Sequence, residues 1–407
     1  MNLRKIPLAL AVGAILAAPA VQAQSTVQIY GKLYPYLLDE RGSDPTPAGA
    51  RVSTLAATPT GASGLPGTRT LNAGNSNIGF RGTEDLGGGL KARFQLEAQV
   101  SVDDGRGAGD GGGLMFNRNT YVGLEGGFGA LRLGNMDTIF KTYGDTIGIL
   151  GLSSGTFMSS SGVLRRTGFG TSGASSFHLR RVNSVQYETP EFGGFQAGLQ
   201  WSTNEAKTDV PPRDPRVLSG GVKYDAGPIY VALAHEVHYD LYGGSANAPA
   251  AMRNNGATDP TRSRDRATQF TVEWRVNKQH KFEFDAIRKQ YNEGASAAGR
   301  FSSYRNMAYM LAMENRWSDQ WRTAAHVVLS KAGECSRVNA ICTTDGLDGK
   351  KYTFAVGYFL SRRTFLFGAA SLIKNGSSAR YSNTEVGNNP TPGEDVRHLA
   401  LGISHNF

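Results

Sequence analysis

From Lys91 to Gln99 the chain alternates strictly: Lys91, Arg93, Gln95, Glu97 and Gln99 share one face, and Ala92, Phe94, Leu96 and Ala98 share the other. A period of two marks a strand with one apolar and one strongly polar face. Gly87-Gly88-Gly89 joins it to a shorter strand holding Ile78 and Phe80, so the unit reads as a hairpin with a tight glycine turn. The same alternation recurs in Phe195, Ala197, Leu199 and Trp201, and in Phe270, Val272 and Trp274. Carried along the chain, it predicts about sixteen strands, from 26–38, 72–83 and 89–101 through 117–126 and 129–136 to a last one at 396–407. One such hairpin suits a soluble sandwich. A whole chain of them suits a closed barrel, with apolar faces on lipid and polar faces on a wet lumen.

The connections alternate in length. Short ones carry turn chemistry, as at Gly126 to Gly129, Asp225 to Pro228 and Asn277-Lys278. Long ones, at 39–71, 102–116, 137–180, 241–265, 332–349 and 375–395, are rich in Gly, Ser, Asn, Asp and Pro. Short turns on one side and long loops on the other are the layout of an outer-membrane barrel. The last strand alternates Leu399, Leu401, Ile403, His405 and Phe407, and Phe407 is expected in an aromatic girdle at the inner interface.

The amino terminus sets the compartment. Arg4 and Lys5 precede an uncharged apolar stretch, Ile6 to Ala20, and Val21-Gln22-Ala23 supplies the small residues of a cleavage site. Residues 1–23 are therefore expected to be a signal peptide, and 24–407 one barrel domain. No later run approaches the ~20 apolar residues a membrane helix needs, so any spanning must be done by strands.

Composition refines this picture. Apolar residues make up 40% of the chain and charged residues 19%, with 52 glycines among 407 residues. That is too polar for a helical membrane protein and glycine-rich for an ordinary enzyme. Loss of Arg4 and Lys5 lowers the formal charge from +9 to +7. The remaining excess lies in scattered arginines such as Arg180-Arg181, Arg262, Arg264 and Arg266, without a basic helix interleaved with aromatics. Nucleic acid is therefore not an expected partner, and a lumen that attracts anions is the better use of the charge. Cys335 and Cys342 suit a small disulfide-closed loop in an oxidising compartment, the alternative being two free thiols.

Catalytic signals are thin. His235-Glu-Val-His238 is one residue short of a zinc-binding His-Glu-x-x-His and falls on a strand. Asp103, Asp104 and Asp110 among glycines resemble a calcium loop only faintly. No serine elbow or phosphate-binding glycine loop occurs. The chain reads as no enzyme, and no cofactor or metal is expected.

Several segments resemble one family specifically. They are Val27-Gln-Ile-Tyr-Gly31, Gly79-Phe-Arg-Gly-Thr-Glu-Asp-Leu-Gly-Gly-Gly-Leu-Lys-Ala92 and Tyr121-Val-Gly-Leu-Glu-Gly-Gly-Phe-Gly-Ala-Leu-Arg-Leu-Gly134. Arg181-Val-Asn-Ser-Val-Gln-Tyr187 with Pro190-Glu-Phe-Gly-Gly194, and Gly402-Ile-Ser-His-Asn-Phe407, complete the set. The chain is similar to the trimeric general porins of beta-proteobacteria, the neisserial and Burkholderia-type group. The resemblance implies sixteen strands, a homotrimer in the Gram-negative outer membrane among lipid and lipopolysaccharide, and a third external loop, 137–180, folded into the lumen. It places Arg118, Arg180 and Arg181 in a basic cluster facing that loop, with Arg132 beside them on the alternation. Asp137 and Asp145, the loop's acids, are expected to oppose them. Alternation assigns Lys32, Lys91, Arg93 and Glu97 to the lumen. Two departures, Asn77 for an arginine and Tyr34 for an acid, predict a less basic and more aromatic constriction.

The expected function is passive diffusion of small hydrophilic solutes and ions, with modest anion preference. One alternative is a channel preferring small organic anions, held by arginine with Tyr143 and Phe157. The other is a plugged barrel serving adhesion or lipid hydrolysis.

Overall fold

The computed structural model describes residues 26–107, 116–203, 206–210, 212–254, 261–385, 387 and 389–407. The expected leader at 1–23 and Asp110 lie outside the described residues.

Sixteen antiparallel strands make a closed wall. The first four are β1 (Thr26–Leu33 and Tyr36–Ser43, interrupted at Tyr34-Pro35), β2 (Thr68–Asn72 and Asn77–Gly87), β3 (Leu90–Ser101) and β4 (Thr120–Gly126). Next come β5 (Gly129–Asp137), β6 (Arg180–Glu188), β7 (Phe195–Thr203), β8 (Arg216–Ala226), β9 (Ile229–Tyr239) and β10 (Arg264–Arg275). The last six are β11 (His280–Asn292), β12 (Phe301–Arg316), β13 (Trp321–Ser330), β14 (Gly349–Phe359), β15 (Thr364–Asn375) and β16 (Asp395–Asn406). Each strand pairs with its successor, and β16 returns to β1, with Leu33 opposite His405 and Asp39 opposite Leu399. Closure pairs each of the sixteen wall strands on both sides, which a lipid environment demands because nothing there can satisfy a free N–H.

Register carries the alternation around the wall. Phe270 faces Ala286 and Val272 faces Phe284 on the outer side, whereas Gln269 and Asp285 point inward and are buried. Exposed Leu, Val, Phe and Trp side chains cover the outside. Near the short turns they gather into aromatic pairs, Phe195–Tyr224 at 4.7 Å and Trp321–Tyr358 at 4.9 Å between ring centroids. Phe407 joins this end: its amide and carbonyl pair with Gly31, and its ring occupies the space a side chain at 31 would need. Gly31 is therefore covered by its own carboxyl terminus. The β2–β3 turn uses Gly87, Gly88 and Gly89 at φ of +85°, +60° and +83°, conformations that side chains other than glycine's resist.

Some loop boundaries differ from the expected ones. The first loop begins at Asp44 and ends before Thr68, not at 39–71, because Asp39, Glu40 and Arg41 continue the alternation past Pro35. The loop at 332–349 carries a short strand, Glu334–Arg337, which extends the wall against β12. Cys335 and Cys342 form a disulfide there, with Cα atoms 5.7 Å apart.

Candidate channel constriction

The segment between β5 and β6 has its own short elements, α1 (Ile139–Tyr143) and α2 (Ser161–Leu164). It lies against the inward side of the wall. Ile139, Phe140, Phe169 and Phe177 pack with Tyr230, Ala232, Ala267 and Tyr291 of the wall, while Ile149, Phe157 and Met158 pack with Tyr34, Tyr36 and Phe367. Polar anchors fix it as well. Lys289 Nζ on β11 donates to the carbonyls of Leu164 and Arg166 at 2.9 and 2.7 Å, and Lys351 Nζ on β14 donates to that of Phe157 at 2.5 Å. Glu283 accepts from the backbone amides of Thr146 and Ile147 at 3.0 and 2.5 Å. Sequence alternation marks these inward residues as polar but gives no sign that they grip a loop.

The arginines converge on one stretch of inner wall, mostly in ion pairs. Arg118 lies two residues ahead of β4, off its alternation, and its guanidinium turns inward to Glu97 at 2.5 Å. Tyr30 also donates to Glu97, at 3.0 Å. Arg132 meets Glu188 at 2.5 Å, which further accepts from Tyr143 at 3.2 Å. A β-bulge between Gly134 and Met136 turns Asp137 inward, where Arg180 is 3.2 Å and Lys141 2.8 Å away. Burial pulls the Lys141 ammonium below its ordinary value, with Asp137 acting against that pull. Arg181 contacts His238 at 3.2 Å, and His238 bonds Glu236 at 2.8 Å and stacks on Phe177.

Asp145 is placed elsewhere. It pairs with Arg165 of its own loop at 3.1 Å and opposes none of the four wall arginines, because the turn after α1 carries it toward β10 and β11. Tyr143 and Phe157 are both buried, at 1% and 0% exposure, so neither ring offers a face to a solute. Arg93 pairs with Glu125 at 2.9 Å, and Lys91 projects beside it from the next inward position on β3. Lys32 donates to the Gly151 carbonyl at 2.6 Å.

Inward cations with no ion pair among the described residues include Lys32, Arg81, Lys91 and Lys223. Arg81 lies 4.7 Å from the Tyr30 ring and Lys223 4.9 Å from that of Tyr143. Sequence reading passed over Arg81 and Lys223, as well as Glu188 and Lys141. Strand parity through Ser184, Gln186 and Glu188 would have found Glu188. His235 bonds Thr268 on the outward side of β9 while His238 points inward, so the two do not converge. Among the described residues no group of His, Cys, Asp and Glu suits a metal ion.

The profile of a Gram-negative porin family matches residues 9–378. Outer membrane porin protein 32 of Delftia acidovorans is 28% identical over 354 residues, covering 84% of this chain and 87% of the relative. The major outer membrane protein P.IB of Neisseria meningitidis serogroup A is 30% identical over 228 residues, 56% of this chain and 59% of the relative. Among solved structures, the anion-selective porin from Comamonas acidovorans superposes with a TM-score of 0.68 at 22% identity, over 94% of this chain and all of that one. A trimer form of OmpT from Vibrio cholerae gives a TM-score of 0.60 at 15% identity, over 94% of this chain and 99% of that one.

Proposed function

The chain belongs to the Gram-negative porin family, and from that premise we infer a water-filled channel for passive diffusion of small hydrophilic solutes and ions across the outer membrane. It is a channel and not an enzyme. The observation that carries this reading is the closed sixteen-strand wall with apolar side chains outside and charged ones inside. A barrel of this strand number leaves an aqueous channel. The loop from Thr138 to His178 narrows it. Selectivity follows from charge balance: Arg118, Arg132 and Arg180 are compensated by Glu97, Glu188 and Asp137, while cations such as Lys32, Arg81, Lys91 and Lys223 carry no ion pair among the described residues. Fixed positive charge at a narrow point raises local anion concentration, but a few unpaired cations among many ion pairs give a modest preference. An anion-selective porin of the same fold is consistent with it.

Residues 1–23 direct export and are removed. The working unit is a homotrimer: the outward residues Val122, Leu133, Val185 and Leu199 of β4 to β7 form an uncharged face suited to a neighbouring copy. Planar-bilayer recording tests the channel reading. Open steps proportional to bulk conductivity, with a reversal potential displaced toward anions in a salt gradient, are expected. Absence of steps sinks the reading, and block by one class of organic anion would favour a substrate-preferring channel.

A further inference from the structure

On the long-loop side of the barrel, the inward segment meets the loop between β15 and β16. Asn383 clamps the two together: its Nδ2 donates to the carbonyls of Thr156 and Ser159, both at 3.0 Å. The Arg380 amide adds a bond to the Gly168 carbonyl at 2.7 Å. Gly162 makes the approach possible, since a Cβ there would run into the Asn383 side chain. Between the two segments lies a cavity of about 290 Å³.

Its lining is polar or glycine throughout, with Ser161, Arg166 and Thr171 from the inward segment and Ser382, Thr384 and Glu385 from the other loop. No aromatic or aliphatic side chain is among the described lining residues. Arg166 is the one cation among them. Its guanidinium has no ion pair among the described residues, and its Nε is buried without a hydrogen-bond partner. A guanidinium N–H cannot shed its proton, so an unmet one calls for an acceptor. The Thr171 and Ser382 hydroxyls bond to no described residue, and the Ser161 hydroxyl meets that of Ser159 at 2.8 Å with capacity to spare. Glu385, which accepts from the Phe157 amide, disfavours a second negative charge beside it.

One forked cation, several unmet hydroxyls, no apolar surface and a carboxyl that repels further anionic groups together suit a polyol with a single negative charge. We propose that this cavity binds a six-carbon sugar acid with one carboxylate, the carboxylate on the Arg166 guanidinium and the hydroxyls on Thr171, Ser382 and Ser161. The two carboxylate oxygens match the guanidinium fork. Hydroxyl partners give the discrimination, because an analogue without them leaves the site's polar groups unpaired. The site is separate from Arg118, Arg132 and Arg180 of the wall and rests on the channel reading only for the route by which solute arrives.

Isothermal titration of the full assembled protein in detergent tests it, with D-gluconate as the probe. Hexanoate lacks the hydroxyls, sorbitol lacks the charge, and D-glucarate carries a second carboxylate. At pH 8, where Glu385 is largely ionised, the wild type should bind gluconate about tenfold more tightly than any of the three. Arg166→Gln should lose about that factor. Thr171→Ala/Ser382→Ala, which keeps the guanidinium and removes only hydroxyls, should lose about fivefold for gluconate and nothing for hexanoate. Equal affinity of wild type and both variants for gluconate would overturn the proposal, as would hexanoate or glucarate bound as tightly as gluconate by the wild type. A wild type that binds gluconate but conducts no current in planar bilayers would count against the channel reading and leave the site standing. One that conducts but binds no gluconate would remove the site and leave the channel.

Discussion

At the scale of single residues, the proposed constriction is characterised by compensation more than by the number of arginines. Arg118 is held by Glu97, so the pair acts on a distant ion as a dipole. Glu97→Gln uncovers the guanidinium. A unit charge about 8 Å from the path through water changes an ion's energy by about 0.5 kcal/mol, roughly a twofold change in permeability ratio. The reversal potential of Glu97→Gln should therefore move toward anions, and that of Arg118→Gln toward cations. The double variant should return close to wild type. A double variant as displaced as either single one would show that the pair is not at the narrow point. Glu385, in the loop before β16, adds a pH dependence: it accepts from the Phe157 amide, and burial pushes its carboxyl up to about 7. Its folded value lies above the ordinary 4.5, so the folded loop favours the protonated form. That contribution is fully present below pH 4.5 and is lost as pH rises through about 7, at a cost of no more than about 3 kcal/mol. Hydrogen exchange at residues 156–160 should quicken between pH 6 and pH 8, once corrected for the intrinsic rate. In Glu385→Gln the corrected rate should be flat.

At the scale of elements, the segment from Thr138 to His178 is a small apolar core laid on a polar wall. Its two short helices could not persist alone, and helicity here comes from packing and from anchors such as Lys289. Lys289→Met leaves the Leu164 and Arg166 carbonyls without their donor, a loss of about 1–3 kcal/mol at the α2 end. Single-channel records of this variant should show added open-state noise with the wall intact by circular dichroism; quiet records would mean that the apolar contacts alone hold the segment. The Cys335–Cys342 bridge closes a loop with a sequence separation of 7 residues, for which chain entropy predicts on the order of 2 kcal/mol of local stabilisation. Reduction should increase protease cleavage within 332–349 and leave conductance unchanged.

At the scale of the whole molecule, the outside of the closed wall is charged unevenly. The face of β4 to β7 is uncharged, and the face from β14 round to β2 carries cations at the loop end. If the proposed homotrimer contact lies at β4 to β7, lysine at Val122 or Leu133 should yield folded monomers in mild detergent, read by sedimentation. The same change at Leu311 on β12 should leave it assembled, at the cost of about 2–4 kcal/mol for a lipid-facing cation. Dissociation by Leu311→Lys and not by Val122→Lys would move the subunit contact to the other side.

Much of this architecture is written locally. Period-two alternation made the strands, their inward and outward faces and the wall itself legible, because each residue's side is fixed by its immediate neighbours. Alternation alone therefore puts Lys91, Arg93 and Glu97 on the inward face. Two cysteines in one short loop likewise limited their pairing to each other. Tertiary structure decided what alternation does not encode. The bulge before Asp137 and the turn of Arg118 ahead of β4 break parity, and only the folded chain shows which way those side chains go. The partners Glu97, Glu188 and Arg165 lie far along the chain from Arg118, Arg132 and Asp145 or on the far side of a turn. Charge compensation therefore emerged only when the barrel closed and brought the loop against its inner wall.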